Sequence, residues 1–317
     1  MGSKRLKIVN QTILENDIII IGAGPAGLAC SIYLARSGYL PIVLTGDAPG
    51  GQLIKTDIIE NYPGFREISG CDLMMKMMSQ AEGLGSEFIY EIVDSISKIA
   101  GNFNLKLTSG ATLISKAILI ATGATHKKIG CPGEDDFTNK GVSWCATCDG
   151  PLLKENKTVA VVGGGNTAVM EALFLSKFAA KVFLIHRRSS LRADKIMQDK
   201  LFSNDKIEVI WNSEVSEICG NQILEAIHLK STIDNSERTL KIDGLFVAIG
   251  TVPASSFIQN LVEMDDNGYI KATDTLTSCD GVFAAGDVVS GSLKQAIFAA
   301  GSGALAARRI EEYLWMR

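Results

Sequence analysis

The chain has 317 residues, of which 46% are hydrophobic and 21% charged, and its net charge at pH 7 is −4. This length predicts two globular domains, and the absence of a Lys- or Arg-rich block excludes the usual basic surface for nucleic acid. No apolar run approaches the ~20 residues that span a bilayer, and the first residues, MGSKRLKIVNQTILEN, lack the apolar stretch of a secretory signal.

The first predicted unit is "NDIIIIGAGPAGLACSIYLARSGYLPIVLTG". An apolar run at 18–21 predicts a strand, Gly22-x-Gly24-x-x-Gly27 a tight turn opening a helix, and a second run at 42–44 the next strand. In such a unit the first glycine permits the bend, the second admits a pyrophosphate, and the third lets helix and strand pack closely. The second strand runs into a glycine-rich loop instead of ending in an acid; Asp47 follows in that loop.

Two short predicted strands, "AILIATGA" at 117–124 and "GLFVAIGTVPA" at 244–254, each end in glycine and bracket a second unit. We therefore predict that residues 127–249 form a domain inserted into a first domain built from residues 1–126 and 250–317. The predicted fold class is α/β, with two Rossmann-like, three-layer ββα dinucleotide-binding domains.

The segment "SWCATCDG" between these strands places Cys145 and Cys148 three positions apart. A C-x-x-C near βαβ units favours a redox pair, and Asp149 has the chemistry of a proton donor or of a turn residue. A zinc half-site needs two more ligands; His126 and Cys131 are near in sequence, but no second pair exists, so we predict no metal. Two inert core cysteines are the third interpretation.

The second unit is "KTVAVVGGGNTAVMEALFLSKFAAKVFLIHRR", with Gly163-x-Gly165-x-x-Ala168 as its turn. Two copies of the motif, each in strand–turn–helix–strand context, are a strong signal for dinucleotide binding. An acid about 20 residues past such a turn binds a ribose 2′-hydroxyl. Here that place holds basic residues, which suit a 2′-phosphate and predict NADPH: His186, Arg187, Arg188 and Arg192.

The C-terminal part contains "GVFAAGDV", read as a strand ending at Asp287 just before a helix, where the carboxylate suits a polyol chain. The last helix is rich in Ala, Gly and Ser over residues 299–304, which permits close approach of a cofactor or tight helix packing. Its first amides lie near Gln295 and Ala296. The odd total of 7 cysteines does not indicate a disulfide framework, so we expect a reducing, cytosolic compartment and small buried thiols outside the C-x-x-C pair.

From "IGAGPAGLA" through "GGQL", "ENYPG", "ATGA", "CATCDG", "GGGNTA", "HRRSSLRA" and "GVFAAGDV" to the last helix, the chain resembles the low-molecular-weight thioredoxin reductases of bacteria and plants. The resemblance implies FAD in the outer domain, NADPH in the inserted domain, and a homodimer. It also implies a relay in which NADPH reduces the flavin, the flavin opens the disulfide, and the dithiol reduces thioredoxin. The inserted domain would rotate between two poses, about residues 122–125 and 250–253.

The same resemblance implies roles for individual residues. Cys148 matches the thiol that faces the flavin, Cys145 the thiol that attacks thioredoxin, and Asp149 the proton donor. The matches to FAD-contact positions are Gly22, Gly24, Gly27, Thr45, Gly51, Gln52, Asn61, Asp287, Gln295 and Ala296. The matches to NADPH-contact positions are Gly165, Asn166, Thr167, Arg187, Arg188 and Arg192.

Two other functions are considered. A related flavin-dependent disulfide reductase would use the same residues with another protein disulfide as acceptor. A non-catalytic redox sensor or zinc-stabilised module belongs to a different class, and a protein that neither carries nor takes up FAD would favour it.

Overall fold

The computed structural model describes residues 4–8, 11–46, 49–153 and 156–317, so Asp47 lies outside the described residues. The chain divides into two compact units. Unit 1 comprises Met1–Thr125 and Val252–Arg317, and unit 2 comprises His126–Thr251. The boundaries expected from the sequence lie after residues 126 and 249.

The described residues form six α-helices and 18 β-strands. The helices are α1 (Pro25–Arg36), α2 (Gly70–Gly83), α3 (Ala146–Asp149), α4 (Asn166–Leu175), α5 (Lys195–Phe202) and α6 (Ala296–Trp315). The strands are β1 (Lys4–Ile8), β2 (Gln11–Ile21), β3 (Ile42–Leu44), β4 (Glu87–Ile89), β5 (Val93–Ile99), β6 (Asn102–Leu107), β7 (Thr112–Ile120), β8 (Ala124–His126), β9 (Val142–Ser143), β10 (Thr158–Val162), β11 (Lys181–Ile185), β12 (Ile207–Ile210), β13 (Ser213–Gly220), β14 (Leu224–Ser231), β15 (Glu237–Lys241), β16 (Gly244–Val247), β17 (Thr251–Pro253) and β18 (Val282–Ala284). Strands β8 and β17, in the two crossing segments, pair with each other. None of the helices in the described ranges is both long and apolar enough to cross a membrane.

Unit 1 is built around the sheet β4-β3-β2-β7, in which β18 also pairs with β7 and all neighbours are parallel. Alternate residues of β2 face opposite sides of the sheet, as the pleat requires. Ile18 and Ile20 pack towards α1, α2 and α6, whereas Ile19 and Ile21 pack towards the antiparallel pair β5–β6. Helices, parallel sheet and antiparallel strands thus form the three layers.

Unit 2 repeats this layering with its own sheet, β12-β11-β10-β16-β9, which is parallel throughout. On one side Val159 and Val161 of β10 pack against α3, α4 and α5. On the other side Ala160 packs against the antiparallel sheet β13-β14-β15. The predicted α/β class with parallel-strand, Rossmann-like units is confirmed.

The prediction for the segment around Asp287 is wrong in its local structure. Strand β18 ends at Ala284, Asp287 lies in a 3₁₀ turn at Gly286–Val288, and the next helix, α6, begins only at Ala296. The physical reason lies at Gly286, whose φ of 77° leaves the extended region and ends the strand.

Helix packing explains one of the small residues of α6. A Cβ added at Gly303 would lie 2.0 Å from the carbonyl oxygen of Ala26 in α1, so only glycine lets the two helices approach this closely. Close packing is therefore sufficient to account for Gly303 within the segment of small residues at 299–304.

The expectation that the remaining cysteines are small buried thiols holds only for Cys30. Cys71, on α2, is exposed, and Cys131, Cys219 and Cys279 are half-buried. Apolar neighbours in the sequence did not distinguish the core face from the solvent face at these positions.

Candidate functional site

Cys145 and Cys148 form a disulfide, with a Cα–Cα separation of 5.3 Å that lies in the normal range for such bonds. Helix α3 begins directly after Cys145, whose carbonyl oxygen accepts hydrogen bonds from the backbone N–H groups of Cys148 (3.2 Å) and Asp149 (3.1 Å). This helical turn brings the two side chains to the same side. Of the three interpretations, the redox pair is confirmed, since disulfide sulfurs are neither thiolate ligands for zinc nor inert core thiols.

Ser143, which the sequence analysis missed, links the disulfide turn to Asp149. Its hydroxyl oxygen accepts the backbone N–H of Cys145 at 3.0 Å, and the same hydroxyl donates a short hydrogen bond to the Asp149 carboxylate. The Cys145 Sγ also lies 3.3 Å from the Thr147 hydroxyl oxygen. Asp149 is thus held beside the disulfide by a residue on β9, at a spacing that has no sequence motif of its own.

The first glycine turn, between β2 and α1, has the geometry of a phosphate-binding loop. Gly22 adopts φ 111°, and a Cβ there would meet the carbonyl oxygen of Ala121 at 2.3 Å. A Cβ at Gly27 would lie 1.9 Å from the carbonyl oxygen of Gly22. At Gly24, directly before α1, a Cβ would meet no protein atom within 4 Å. Two of the glycines are therefore required by packing, and the third leaves open space at the start of a helix, where anions bind.

The other residues predicted around this turn lie in several separate segments. The loop that contains Gly51 lies beside this turn, since a Cβ at Gly51 would be 3.7 Å from the Cα of Gly24. The Asn61 amide donates to Gln295 at 3.1 Å, directly before α6. The buried Thr45 hydroxyl donates to the Gly46 carbonyl. Gln52 is exposed in the 3₁₀ turn at Gly51–Lys55, and Ala296 is the first residue of α6.

Asp287 carries an acceptor atom that the described residues leave without a donor. Its Oδ1 is buried and has no hydrogen-bond partner. Burial raises the pKa of this carboxyl, against the opposing positive charge of Lys294. A Cβ at the adjacent Gly286 would lie 3.0 Å from the Cβ of Ala26 in the first turn of α1. A buried acceptor beside an open phosphate loop fits a ligand that brings both hydroxyl groups and phosphates.

The second glycine turn, between β10 and α4, repeats the arrangement. A Cβ at Gly163 would meet the carbonyl oxygen of Ala248 at 2.4 Å, whereas at Gly165 it would meet nothing within 4 Å. Asn166 and Asp194 exchange hydrogen bonds of 2.9 and 2.8 Å, which join the start of α4 to the start of α5. Thr167 is exposed in the first turn of α4. The second turn therefore leaves open space at Gly165, its middle motif glycine, as the first turn does at Gly24.

The basic residues that follow β11 divide into two kinds. His186 is buried, its Nε2 lies 3.0 Å from the Ser190 carbonyl oxygen, and its ring fills the place that a Cβ on Gly164 would take. Burial lowers its pKa, and the charges of Arg192 and Arg188 lower it further. His186 thus supports the loop that follows β11. The exposed Arg188 and Arg192 lie close enough to its ring for their charges to lower its pKa. Arg187 is also exposed.

Glu171, on α4, is a half-buried residue whose carboxyl oxygen Oε2 is buried, and sequence reasoning missed it because its helix is apolar on several sides. Its Oε2 has no hydrogen-bond partner among the described residues. Burial raises its pKa from 4.5 to about 7. The folded chain therefore binds more protons than the unfolded chain between these two values, and this group's contribution to stability falls as the pH rises through that window.

Glu171→Gln is expected to stabilise the protein at pH 8 by up to about 3 kcal/mol, because the amide carries no charge to bury. Near pH 4 the variant and the natural protein are expected to unfold at similar urea concentrations, since the carboxyl is then neutral in both states. Urea midpoints at the two pH values check this. Equal midpoints at pH 8 would contradict the raised pKa.

Three comparisons with known proteins agree with this geometry. The family described as pyridine nucleotide-disulphide oxidoreductase matches residues 16–303. A thioredoxin reductase of Streptomyces clavuligerus is 45% identical over 302 residues, 94% of each chain. One of Listeria monocytogenes is 42% identical over 94% of this chain and 93% of its own. The crystal structure of thioredoxin reductase from Streptococcus pyogenes superposes with a TM-score of 0.91 at 40% identity, covering 96% of this chain and 99% of the other.

Proposed function

The chain belongs to the thioredoxin reductases of the pyridine nucleotide-disulphide oxidoreductase family, and we propose that it passes electrons from NADPH, through FAD and the Cys145–Cys148 disulfide, to oxidised thioredoxin. Flavin and nicotinamide cofactors follow from the family. The disulfide between Cys145, directly before α3, and Cys148 within it is the observation that carries the proposal. A homodimer, and rotation of unit 2 between two poses, remain part of it.

We assign FAD to unit 1 and NADPH to unit 2. The open Gly24, the neighbouring Gly51 and the donor-less Oδ1 of Asp287 support a flavin dinucleotide in unit 1. Arg188 and Arg192 beside the second turn support a 2′-phosphate in unit 2. When bound, the flavin accepts a hydride from the nicotinamide and supplies two electrons to a disulfide.

The residues of the chain itself perform the exchange of disulfides. Two electrons and two protons convert the Cys145–Cys148 bond into two thiols. The Cys145 thiolate then attacks one sulfur of the thioredoxin disulfide, which breaks and leaves a mixed disulfide. The Cys148 thiolate attacks Cys145, re-forms the intramolecular bond and releases the second thioredoxin thiol. Asp149, held by Ser143, is positioned to give or take the proton in these steps.

The direct test is NADPH oxidation by the flavin-loaded protein with and without oxidised thioredoxin. Thioredoxin-dependent turnover is the expected result. NADPH-dependent reduction of the flavin without turnover on thioredoxin would indicate a related reductase with another protein disulfide as acceptor. A protein that does not take up FAD would contradict every flavoenzyme assignment and favour the redox-sensor class.

The two open glycines allow the cofactor assignment to be tested separately for each unit. Gly24 and Gly165 both have negative φ and room for a Cβ, so alanine at either position leaves the fold intact. Gly24→Ala is expected to weaken FAD binding roughly ten- to hundredfold, because the methyl group takes the space of a close phosphate contact. Gly165→Ala is expected to keep its flavin and to weaken NADPH binding by a similar factor.

Flavin titration of the apoprotein and the KM for NADPH measure the two effects. Loss of flavin in the Gly165→Ala protein, or an unchanged flavin affinity in the Gly24→Ala protein, would contradict the assignment. Gly27→Ala is the matched variant in which a Cβ collides with backbone at 1.9 Å, so it is expected to lower the stability of unit 1 even without cofactor.

A further inference from the structure

The three-stranded sheet of unit 2 carries three metal-ligating side chains on one face. Glu217 and Cys219 lie two residues apart on β13, and His228 lies opposite Glu217 on β14. One ligand atom from each lies within 4.8 Å of the other two. The intervening Ile218 and Ile227 are buried in the core of unit 2. The cluster therefore faces away from that core, and no step of the disulfide exchange uses it.

A β-bulge sets the alignment of this cluster. Val215 pairs with Leu229 and Glu217 with His228, so Ser216 is an extra residue in β13. The Ser216 hydroxyl donates to the carbonyl oxygen of His228 at 3.2 Å. In a regular ladder Ser216 would stand opposite His228. Because of the bulge, Glu217 stands opposite His228 instead. Bulges commonly redirect side chains in this way near functional sites.

A hydrogen-bond partner on the neighbouring strand orients the His228 ring. Its Nδ1 lies 3.0 Å from the hydroxyl oxygen of Thr239, the residue that pairs with it on β15. Nδ1–H donating to this hydroxyl leaves the lone pair of Nε2 available on the tautomer that binds metals. Histidine ligands in proteins are usually fixed by such a second hydrogen bond.

We propose that Glu217, Cys219 and His228 form a zinc site, binding one Zn²⁺ through a carboxylate oxygen, a thiolate sulfur and the imidazole Nε2, with water as the fourth ligand. Mixed S, N and O donors suit Zn²⁺, whereas Mg²⁺ and Ca²⁺ prefer oxygen alone. Binding breaks the S–H bond of Cys219 and releases its proton to solvent.

The sequence analysis predicted no metal site. The three ligands lie on two strands, and only the register with its bulge brings them together. The proposal does not depend on the reductase function.

The test is a titration of the oxidised, flavin-loaded protein with Zn²⁺ against a chromophoric chelator, followed by Co²⁺ as a spectroscopic probe. In this form Cys145 and Cys148 are disulfide-bonded and bind no metal. One Zn²⁺ per chain is expected, and Cys219→Ser, His228→Gln and Glu217→Gln are each expected to weaken binding about tenfold or more. Cys71→Ser, which removes an exposed thiol in unit 1, is expected to leave the affinity unchanged.

Co²⁺ is expected to give a thiolate-to-metal absorption band in the natural protein and in Cys71→Ser, but not in Cys219→Ser. Absence of stoichiometric Zn²⁺ binding would overturn the proposal. Retention of full affinity by both Cys219→Ser and His228→Gln, or its loss in Cys71→Ser, would equally overturn it, because the metal would then be bound elsewhere.

Discussion

Cys145→Ser is expected to abolish thioredoxin reduction, with a loss of roughly a thousandfold or more in kcat/KM, while the bound flavin is still bleached by NADPH. A serine hydroxyl neither forms a disulfide with Cys148 nor attacks one, so electrons that reach the flavin have no route to the acceptor. Reduction of the flavin does not use this residue. Stopped-flow flavin bleaching and a steady-state thioredoxin assay on the same preparation separate the two steps.

The matched control for this variant is Cys131→Ser. Cys131 is a half-buried free thiol of the same unit, and its pKa of about 11, raised mainly by burial, keeps it protonated at neutral pH. Its replacement is expected to leave turnover on thioredoxin unchanged. Residual turnover in Cys145→Ser above a few per cent would show that another thiol attacks thioredoxin, whereas loss of flavin bleaching would show that the variant is damaged before the disulfide step.

Local signals explain why the framework of this protein was predictable. Both glycine turns occur between an apolar run and a helical pattern, and the structure places β2, β3, β10 and β11 at these runs. Gly22, Gly27 and Gly163 are required by backbone contacts under 3 Å that no other residue allows. Where glycine is dictated by a close approach of backbone, the sequence records the geometry directly.

The features that were not predicted depend on backbone geometry and packing that no sequence pattern encodes. Ser143 reaches Asp149, six residues further on, because only two residues separate the end of β9 from the start of α3. The burial of Glu171 depends on how α4 packs, and the strand before Asp287 ends early because of the backbone at Gly286. The period of two or 3.6 residues at which apolar side chains recur carries no information on these features.

The surroundings of His186 differ from those expected of a phosphate contact. From the sequence, it was grouped with the arginines as a contact of the 2′-phosphate. The structure buries its ring against Gly164 and pairs its Nε2 with the Ser190 carbonyl. Burial, and then the charges of the two arginines, lower the pKa of the ring and so disfavour its charged form. It therefore supports the loop, and under the proposed NADPH assignment the positive charge for the phosphate would come from Arg188 and Arg192.

Replacing Arg188 and Arg192 together by alanine is expected to raise the KM for NADPH about a hundredfold or more, because two charge-assisted hydrogen bonds of roughly 1.5–3 kcal/mol each are lost. The KM for NADH is expected to change little, since it has no 2′-phosphate. The change in kcat with NADPH is expected to be small, because a contact remote from the hydride binds ground state and transition state equally.

Arg238→Ala, on the exposed strand β15 of the same unit, removes one positive charge that belongs neither to the second glycine turn nor to the loop after β11, and is the control for a general loss of charge. It is expected to leave both coenzyme KM values unchanged. Steady-state kinetics with NADPH and NADH, at low and moderate salt, measure the ratio of kcat/KM values for the two donors. If that ratio is the same in the double variant as in the natural protein, the arginines do not read a 2′-phosphate, and the preference for NADPH must come from another part of unit 2 or be absent.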